Sequence, residues 1–267
     1  MITFPNCKIN LGLSITRRRE DGYHDLETVF YTVMGLKDAL EAVPAQGGNT
    51  TLQLSGLSVA GDAANNLVWK AWALLEERYP TQVMPLDMYL CKAIPMGAGL
   101  GGGSADGAFA LRLINDCCSL GLNDPQLAAM ALELGSDCPF FVYNTPQFAT
   151  GRGEQMEPVA IDLSAYSLQI ICPGIHVSTA KAFGMITPKP AAVDLREVMQ
   201  RPVQEWKQVL VNDFEAPVFA EHPELKEIKE RLYEDGAIYA SMSGSGSAVY
   251  GIFEKGRRSG MPGGHLE

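Results

Sequence analysis

The stretch Pro95-Met96-Gly97-Ala98-Gly99-Leu100-Gly101-Gly102-Gly103-Ser104-Ala105-Asp106 decides how the rest of the chain is read. Five of the seven residues from 97 to 103 are glycine. Such a run cannot fill a core. Glycine costs backbone entropy and packs nothing, so a cluster of this kind marks a place where something bulky comes close to the main chain. Beyond it Ala108, Leu111, Ile114 and Cys118 recur at three- and four-residue spacing, which predicts a helix opening directly out of the loop. The first-turn N–H groups and the positive end of the helix dipole then point at the loop, a setting that suits phosphate without a lysine in the motif. A plain helix-entry turn would leave the same trace.

Two named patterns compete for these glycines. Gly97, Gly99 and Gly102 satisfy G-x-G-x-x-G, the mark of a dinucleotide-binding βαβ unit, as in an NAD-dependent oxidoreductase. The context argues against it: the acid expected about 20 residues on should close a second strand, whereas Asp116 falls in or at the end of the same helix. A Walker A loop fails because no lysine follows. A lysine-free phosphate loop is the reading that remains beside the turn.

Working outward, Pro85 to Ile94 predicts a strand with Leu86, Met88 and Leu90 on one side, delivering the chain into the loop. Before it, Asn65-Asn66 caps a helix striped by Val68, Ala71, Trp72, Leu75 and Tyr79 and ended by Pro80. Leu52 and Leu54, then Leu57 and Val59, predict short antiparallel strands. At the start, Ile9, Leu11, Leu13 and Ile15 alternate with Lys8, Asn10, Gly12 and Ser14, the pattern of a half-buried strand with Lys8 and Asn10 on its polar face. Arg17 to Gly22 is a turn, Tyr23-His24 follows, and Thr28 to Met34 is a further strand.

After the loop helix, Asp124-Pro125 starts another helix that carries Leu127, Met130, Ala131 and Leu134 and leaves at Gly135. Ser136-Asp137-Cys138-Pro139 then takes an acid into an apolar run. Composition shifts at Gly151 to Pro158, giving lobes 1–150 and 151–255. In the second, Leu168 to Cys172 is a strand, Phe183 to Pro190 a loop, Glu224 to Glu234 a helix, and Ser241 to Ser247 a small-residue loop entering the strand Ala248 to Phe253. Residues 256–267, Gly-rich and without periodicity, are expected to be disordered or foreign to the natural chain.

The net charge of −10 argues against a protein that wraps nucleic acid or clings to anionic lipid and leaves room for a local basic pocket. No apolar run approaches the roughly 18 residues of a membrane span, and no signal segment opens the chain. A cytoplasmic protein that binds small molecules, monomeric or weakly dimeric, is expected. The six cysteines show no CxxC pair and sit among apolar neighbours, which reads as buried reduced thiols.

If the loop holds ATP, phosphoryl transfer needs positioned phosphates, neutralised charge and a carboxylate near the attacking hydroxyl. Asp137 is the candidate carboxylate, although by sequence alone the residue reads first as a helix-exit or N-cap aspartate. Lys8 is the candidate partner that keeps it ionised; a lone strand lysine is otherwise simply solvated.

Taken together, Pro5-Asn-Cys-Lys-Ile-Asn-Leu-Gly-Leu13, Arg19-Glu-Asp-Gly-Tyr-His24, the glycine loop and Ser243-Gly-Ser-Gly-Ser-Ala-Val-Tyr250 resemble the GHMP superfamily of small-molecule kinases, over residues 1 to about 253. The resemblance implies an α+β, two-lobed fold. Its N-terminal lobe is like ribosomal protein S5 domain 2 and its C-terminal lobe is ferredoxin-like, with ATP and substrate in the cleft. It further implies ATP and magnesium as cofactors, and phosphorylation of the 2-hydroxyl of a cytidine diphosphate-linked methylerythritol in non-mevalonate isoprenoid synthesis. A different alcohol, or a silent nucleotide-binding protein on the same fold, are the alternatives.

By position, the resemblance makes Lys8 and Asp137 the catalytic pair. Asn10, Tyr23, His24, Thr179 and Phe183 become substrate contacts, with Tyr23 and Phe183 sandwiching the cytosine and His24 on its edge. Pro95, Met96, Gly97, Ala98, Gly99, Leu100, Gly101, Gly102, Gly103 and Ser104 would wrap ATP, Asn66 and Lys92 would lie beside the adenosine, and Ser104 is the candidate magnesium ligand. Two departures stand out: Cys7 replaces the usual alanine, and the apolar C-terminal finish is missing after Glu254.

Overall fold

The computed structural model describes residues 1–58, 65–262 and 264–266. Val59 of one expected strand, and Gly263 and Glu267 of the expected tail, lie outside the described residues. The chain forms two compact units that interleave in sequence. One comprises Met1–Cys7, Leu36–Met96 and Gly101–Thr145; the other comprises Lys8–Gly35, Gly97–Leu100 and Pro146–Glu267. Elements are numbered below in chain order.

The first unit holds a sheet of β1 (Ile2–Thr3), β4 (Ala39–Pro44), β5 (Thr51–Gly56) and β6 (Leu86–Lys92), ordered β1-β4-β6-β5. Leu86, Met88 and Leu90 of β6 are buried as their alternation requires, and Lys92 continues the same buried face. β5 pairs with β6 in parallel, against the expectation of antiparallel strands only. Parallel neighbours need a long crossover, and the connection that carries α1 (Leu67–Arg78) supplies it. Asn66 caps α1 by accepting from the Val68 N–H at 2.9 Å. α2 (Gly102–Cys117) leaves the glycine loop, and α3 (Asp124–Leu134) starts on a capping box of Asn123 and Gln126. α4 (Cys138–Tyr143) buries Cys138, Pro139, Phe140, Phe141 and Val142.

The second unit contains two sheets. One is ordered β2 (Asn6–Arg18), β3 (His24–Lys37), β7 (Gln147–Thr150) and β8 (Gln155–Pro158). The other, antiparallel throughout, is ordered β10 (Tyr239–Met242), β11 (Val249–Glu254), β9 (Tyr166–Ile171) and β12 (Gly264–Leu266). β7 and β8 form a hairpin, so the glycines at 151 and 153, both at positive φ, make a tight turn where composition had suggested a passage between lobes. α5 (Thr179–Gly184), α6 (Leu195–Val198), α7 (Val203–Val209), α8 (Glu215–Glu221) and α9 (Pro223–Glu234) complete the unit. α5 takes in Phe183, which the sequence placed in a loop; six residues are too few for periodicity to reveal. Leu13, Ile15, Phe214, Val218, Leu225 and Met242 centre one apolar core, while Ile171, Leu232, Val249 and Phe253 centre another.

Three further expectations are corrected. β2 is not half-buried: Lys8 and Asn10 are each 3% exposed, because other segments cover their face. The Lys8 N–H donates to the Leu100 carbonyl at 3.0 Å, and the Asn10 N–H to the Ser243 hydroxyl at 3.3 Å. The tail is pinned: buried Ser259 donates its N–H to Gln169 Oε1 at 2.7 Å and its hydroxyl to Asp235, and β12 adds an edge to β9. A three-residue strand shows no alternation, which is why the sequence hid it. Among the described residues none of the six cysteines is in a disulfide, but only Cys7 and Cys138 are buried; Cys91 is exposed, one register off the buried face of β6. Among the described residues, no helix is long and apolar enough to cross a membrane.

Gln169→Ala removes the acceptor for a buried N–H and should destabilise the protein by about 1–3 kcal/mol. Urea unfolding with an unchanged m-value would show it; no loss of stability would mean that the tail is not docked through Ser259.

Candidate active site

The glycine loop runs through Gly97, Gly99 and Gly101 at φ +68°, +79° and +70°, a left-handed path open to glycine. At Gly99 a Cβ would lie 2.0 Å from the Ser243 carbonyl oxygen, so the close approach expected of the glycines is in part an approach of the protein to itself. The side chains of Ala98 and Leu100 are buried, and the Ala98 carbonyl accepts from the Ala248 N–H at 3.0 Å. Met96 stays exposed and Pro95 is half-buried.

Gly101 is the N-cap of α2. It offers no side-chain cap, and the first turn carries no acid. α1 and α3 spend an asparagine on their first-turn N–H groups; the turn at Gly102, Gly103 and Ser104 has none, which leaves an electropositive end suited to an anion. The dinucleotide reading fails on topology, since α2 leads to another helix, α3, and no βαβ unit follows.

In the second unit, the buried Lys8 ammonium donates to Asn10 Oδ1 at 2.6 Å and to the Gly99 carbonyl at 3.1 Å, and it lies 5.0 Å from the Phe30 ring centroid. Asn10 Nδ2 donates to the Thr28 hydroxyl at 2.9 Å, so the amide is fixed with its oxygen toward Lys8. The Ser243 hydroxyl donates to the Gly99 carbonyl at 2.8 Å. Residues that the sequence reading did not single out support this loop. Asn212 Nδ2 donates to the carbonyls of Met242 and Gly244, the Tyr250 hydroxyl donates to the Asn10 carbonyl, and the Glu215 carboxylate accepts from the Met242 N–H. Their signal is tertiary, so no local pattern announces them.

The aromatic residues are arranged otherwise than a Tyr23–Phe183 sandwich. Phe183 meets Phe214 edge-on at 4.9 Å, and its stacked partner is His24, with centroids 5.0 Å apart and planes at 22°. Tyr23 is exposed and carries the Arg152 guanidinium 4.8 Å over its ring. Thr179 shares a 3.0 Å hydrogen bond with Ser245. His176, exposed and unforeseen, lies 3.7 Å through Nδ1 from where a Gly97 Cβ would be.

In the first unit Asp137 takes the N-cap position of α4, and its side chain makes no capping hydrogen bond there. Ser104 hydrogen-bonds the Cys138 thiol, whose pKa burial pushes up to about 12. Asn66 Oδ1 serves as the α1 cap, as the sequence predicts. One expectation is corrected here. Lys92 is not beside an open site: its ammonium is buried between Asp38 and Asp106, held there because β6 continues its inward face to this residue. Burial pushes the Asp106 carboxyl up to about 8, against the pull of the Lys92 charge and aided by that of Asp38.

The N-terminal domain model of the GHMP kinases matches residues 66–145, and the C-terminal GHMP kinase model matches residues 192–259. The chain belongs to the GHMP kinase family. A 4-diphosphocytidyl-2-C-methyl-D-erythritol kinase of Parabacteroides distasonis is 51% identical over 255 residues, 96% of this chain and 92% of that protein. Its namesake in Bacteroides thetaiotaomicron is 50% identical over 256 residues, 95% of this chain and 92% of the relative. A crystal structure of 4-(cytidine 5'-diphospho)-2C-methyl-D-erythritol kinase matches with TM-score 0.80 and 32% identity, over 94% of this chain and 90% of that one. The Methanococcus jannaschii mevalonate kinase, at TM-score 0.71 and 12% identity over 96% and 92%, shares the fold alone. The GHMP kinase fold is therefore the α+β architecture described above.

Within this GHMP kinase loop, two glycines should respond oppositely to alanine. Gly103→Ala places a Cβ 3.5 Å from a methionine methyl, an ordinary contact, and should leave the Tm unchanged or higher. Gly99→Ala collides with a carbonyl at positive φ and should lower both Tm and turnover. Equal Tm values would contradict the close approach.

Proposed function

We propose that this kinase transfers the γ-phosphoryl group of ATP to the 2-hydroxyl of 4-diphosphocytidyl-2-C-methyl-D-erythritol, in the cytoplasm. The observation that carries the proposal is identity at about half of all positions, over nearly the whole chain, to kinases of that name. The uncapped α2 start supports it, because its N–H groups and dipole suit the phosphates of the nucleotide.

Asp137 accepts the proton of the attacking hydroxyl. Lys8, aimed by Asn10 and the Gly99 carbonyl, stabilises charge developing on the substrate oxygen. Phe183 and Tyr23 flank the cytosine, and His24 leaves its stack on Phe183 to meet the edge of the base. Magnesium fits as an ion held chiefly by the nucleotide. Among the described residues no three His, Cys, Asp or Glu side chains converge on one point, and Ser104 offers a single hydroxyl oxygen. An octahedral ion that keeps its waters and binds phosphate oxygens needs no protein cage. Such an ion would neutralise charge on the phosphates.

Release of ADP with this substrate, set against mevalonate, homoserine and sugar alcohols, tests the assignment; a preference for any other alcohol overturns it. Asp137→Asn should abolish turnover while ATP binding stays near the wild-type value, and a variant retaining most of its kcat would remove Asp137 as the base. Phe183→Ala should raise KM for the cytidine substrate by the ~1–3 kcal/mol that stacking on an aromatic ring contributes, with little change in kcat.

A further inference from the structure

Three buried ionisable groups in the first unit have no part in the chemistry above. Lys92 ends β6, and its ammonium donates to Asp38 and, at 2.6 Å, to Asp106 of α2. The three side chains are 0–3% exposed. The Asp38 oxygen Oδ1 accepts from the N–H groups of Ala93 at 2.5 Å and Ile94 at 2.8 Å, the residues that lead into the glycine loop. Asp106 stands on the helix that leaves it. Gly102 is what admits the ammonium there: a Cβ at that residue would lie 3.4 Å from Lys92 Nζ and 2.7 Å from Ile94.

One ammonium thus joins the incoming and outgoing stems of the loop. Burying two carboxylates around one lysine is costly compared with an apolar trio of the same volume, so stability alone does not account for the arrangement. Asp106 Oδ1 is buried without a hydrogen-bond partner among the described residues, a further cost. What the arrangement supplies is geometry: two directional contacts on the entering backbone and one on the leaving helix.

We propose that Asp38, Lys92 and Asp106 form a clasp that fixes the spacing of the two stems of the glycine loop, so that all three are positioning residues for the phosphate chain of the nucleotide and none contacts its adenosine. The proposal rests on the phosphate-loop reading given above. Fixed loop amides bind an anion without first being ordered, and a slack loop would take on that ordering cost at the moment of binding.

The test uses Asp38→Asn, Asp106→Asn and Lys92→Met in the full chain. Affinity is measured for ATP, for inorganic tripolyphosphate and for adenosine, alongside hydrogen exchange of the peptide spanning residues 93–106. The clasp predicts roughly tenfold or greater weakening for ATP and tripolyphosphate in Asp38→Asn and Lys92→Met, an unchanged adenosine affinity, and faster exchange confined to that peptide. Should Lys92→Met fail to fold, with two carboxylates left unpaired, the near-isosteric Asp38→Asn and Asp106→Asn carry the test. Wild-type ATP binding in both carboxylate variants, or a loss in Lys92→Met that falls equally on adenosine, overturns the clasp. Failure of the wild-type protein to bind tripolyphosphate would instead defeat the phosphate-loop reading; exchange rates would still judge the clasp, and unchanged rates in every folded variant would overturn it.

Discussion

The carbonyl oxygen of Gly99 accepts from the Lys8 ammonium and from the Ser243 hydroxyl at once, and much of the second unit is arranged so that it can. A junction this crowded forms only where the residue has no side chain and the backbone turns left-handed. It ties the first strand of the unit, the glycine loop and the Ser243 turn to one atom. The strand contributes Lys8 and Asn10, and the turn is held from behind by Asn212 and Glu215. Charge-assisted hydrogen bonds in a buried setting are the stronger kind, and they restrict Lys8 to one direction out of the many that a flexible amine can take.

The same logic accounts for where the polar groups of the protein lie. Lys8, Asn10, Lys92 and Asp106 are all buried, and one of them, Lys92, occupies a position that periodicity would fill with an apolar residue. Lys92 continues the row begun by Leu86, Met88 and Leu90. Places where a sequence violates its own pattern are often places where function or loop geometry outweighs stability. Asp137 holds the N-cap position of α4 without a capping hydrogen bond.

Much of the fold was legible in the sequence. The stripes of α1, α3 and α9, the alternation of β6 and the glycine entry to α2 are local patterns with local causes, and Asn66 and the Asp124-Pro125 pair marked the starts of α1 and α3. The parallel pairing of β5 was not legible, because pairing direction depends on the crossover and not on the strand. Nor were α6 to α8, too short to show a period, or the docking of Ser259, which depends on Gln169 some 90 residues earlier. For the site, the resemblance proposes Lys8, Asp137 and the glycine loop by motif. It misjudged Lys92, since a motif gives a position along the chain and says nothing about which side of the sheet the side chain enters.

The chain leaves and re-enters its units at 7/8, 35/36, 96/97, 100/101 and 145/146, and this bears on the order of folding. The second unit owns the N-terminal strand residues from Lys8, yet the Tyr250 hydroxyl that holds the Asn10 carbonyl is synthesised 240 residues later. A ribosome adding about 5–20 residues per second therefore exposes Lys8 many seconds before its lasting surroundings exist. The first unit, whose last residue is Thr145, has all of its sequence available well before release. Contacts of such long separation are slow to form because loop closure precedes any reward. The setting of Lys8 is thus among the last features the molecule acquires, and a nascent chain stalled short of Tyr250 would have the residues of its glycine loop but not the completed lysine site.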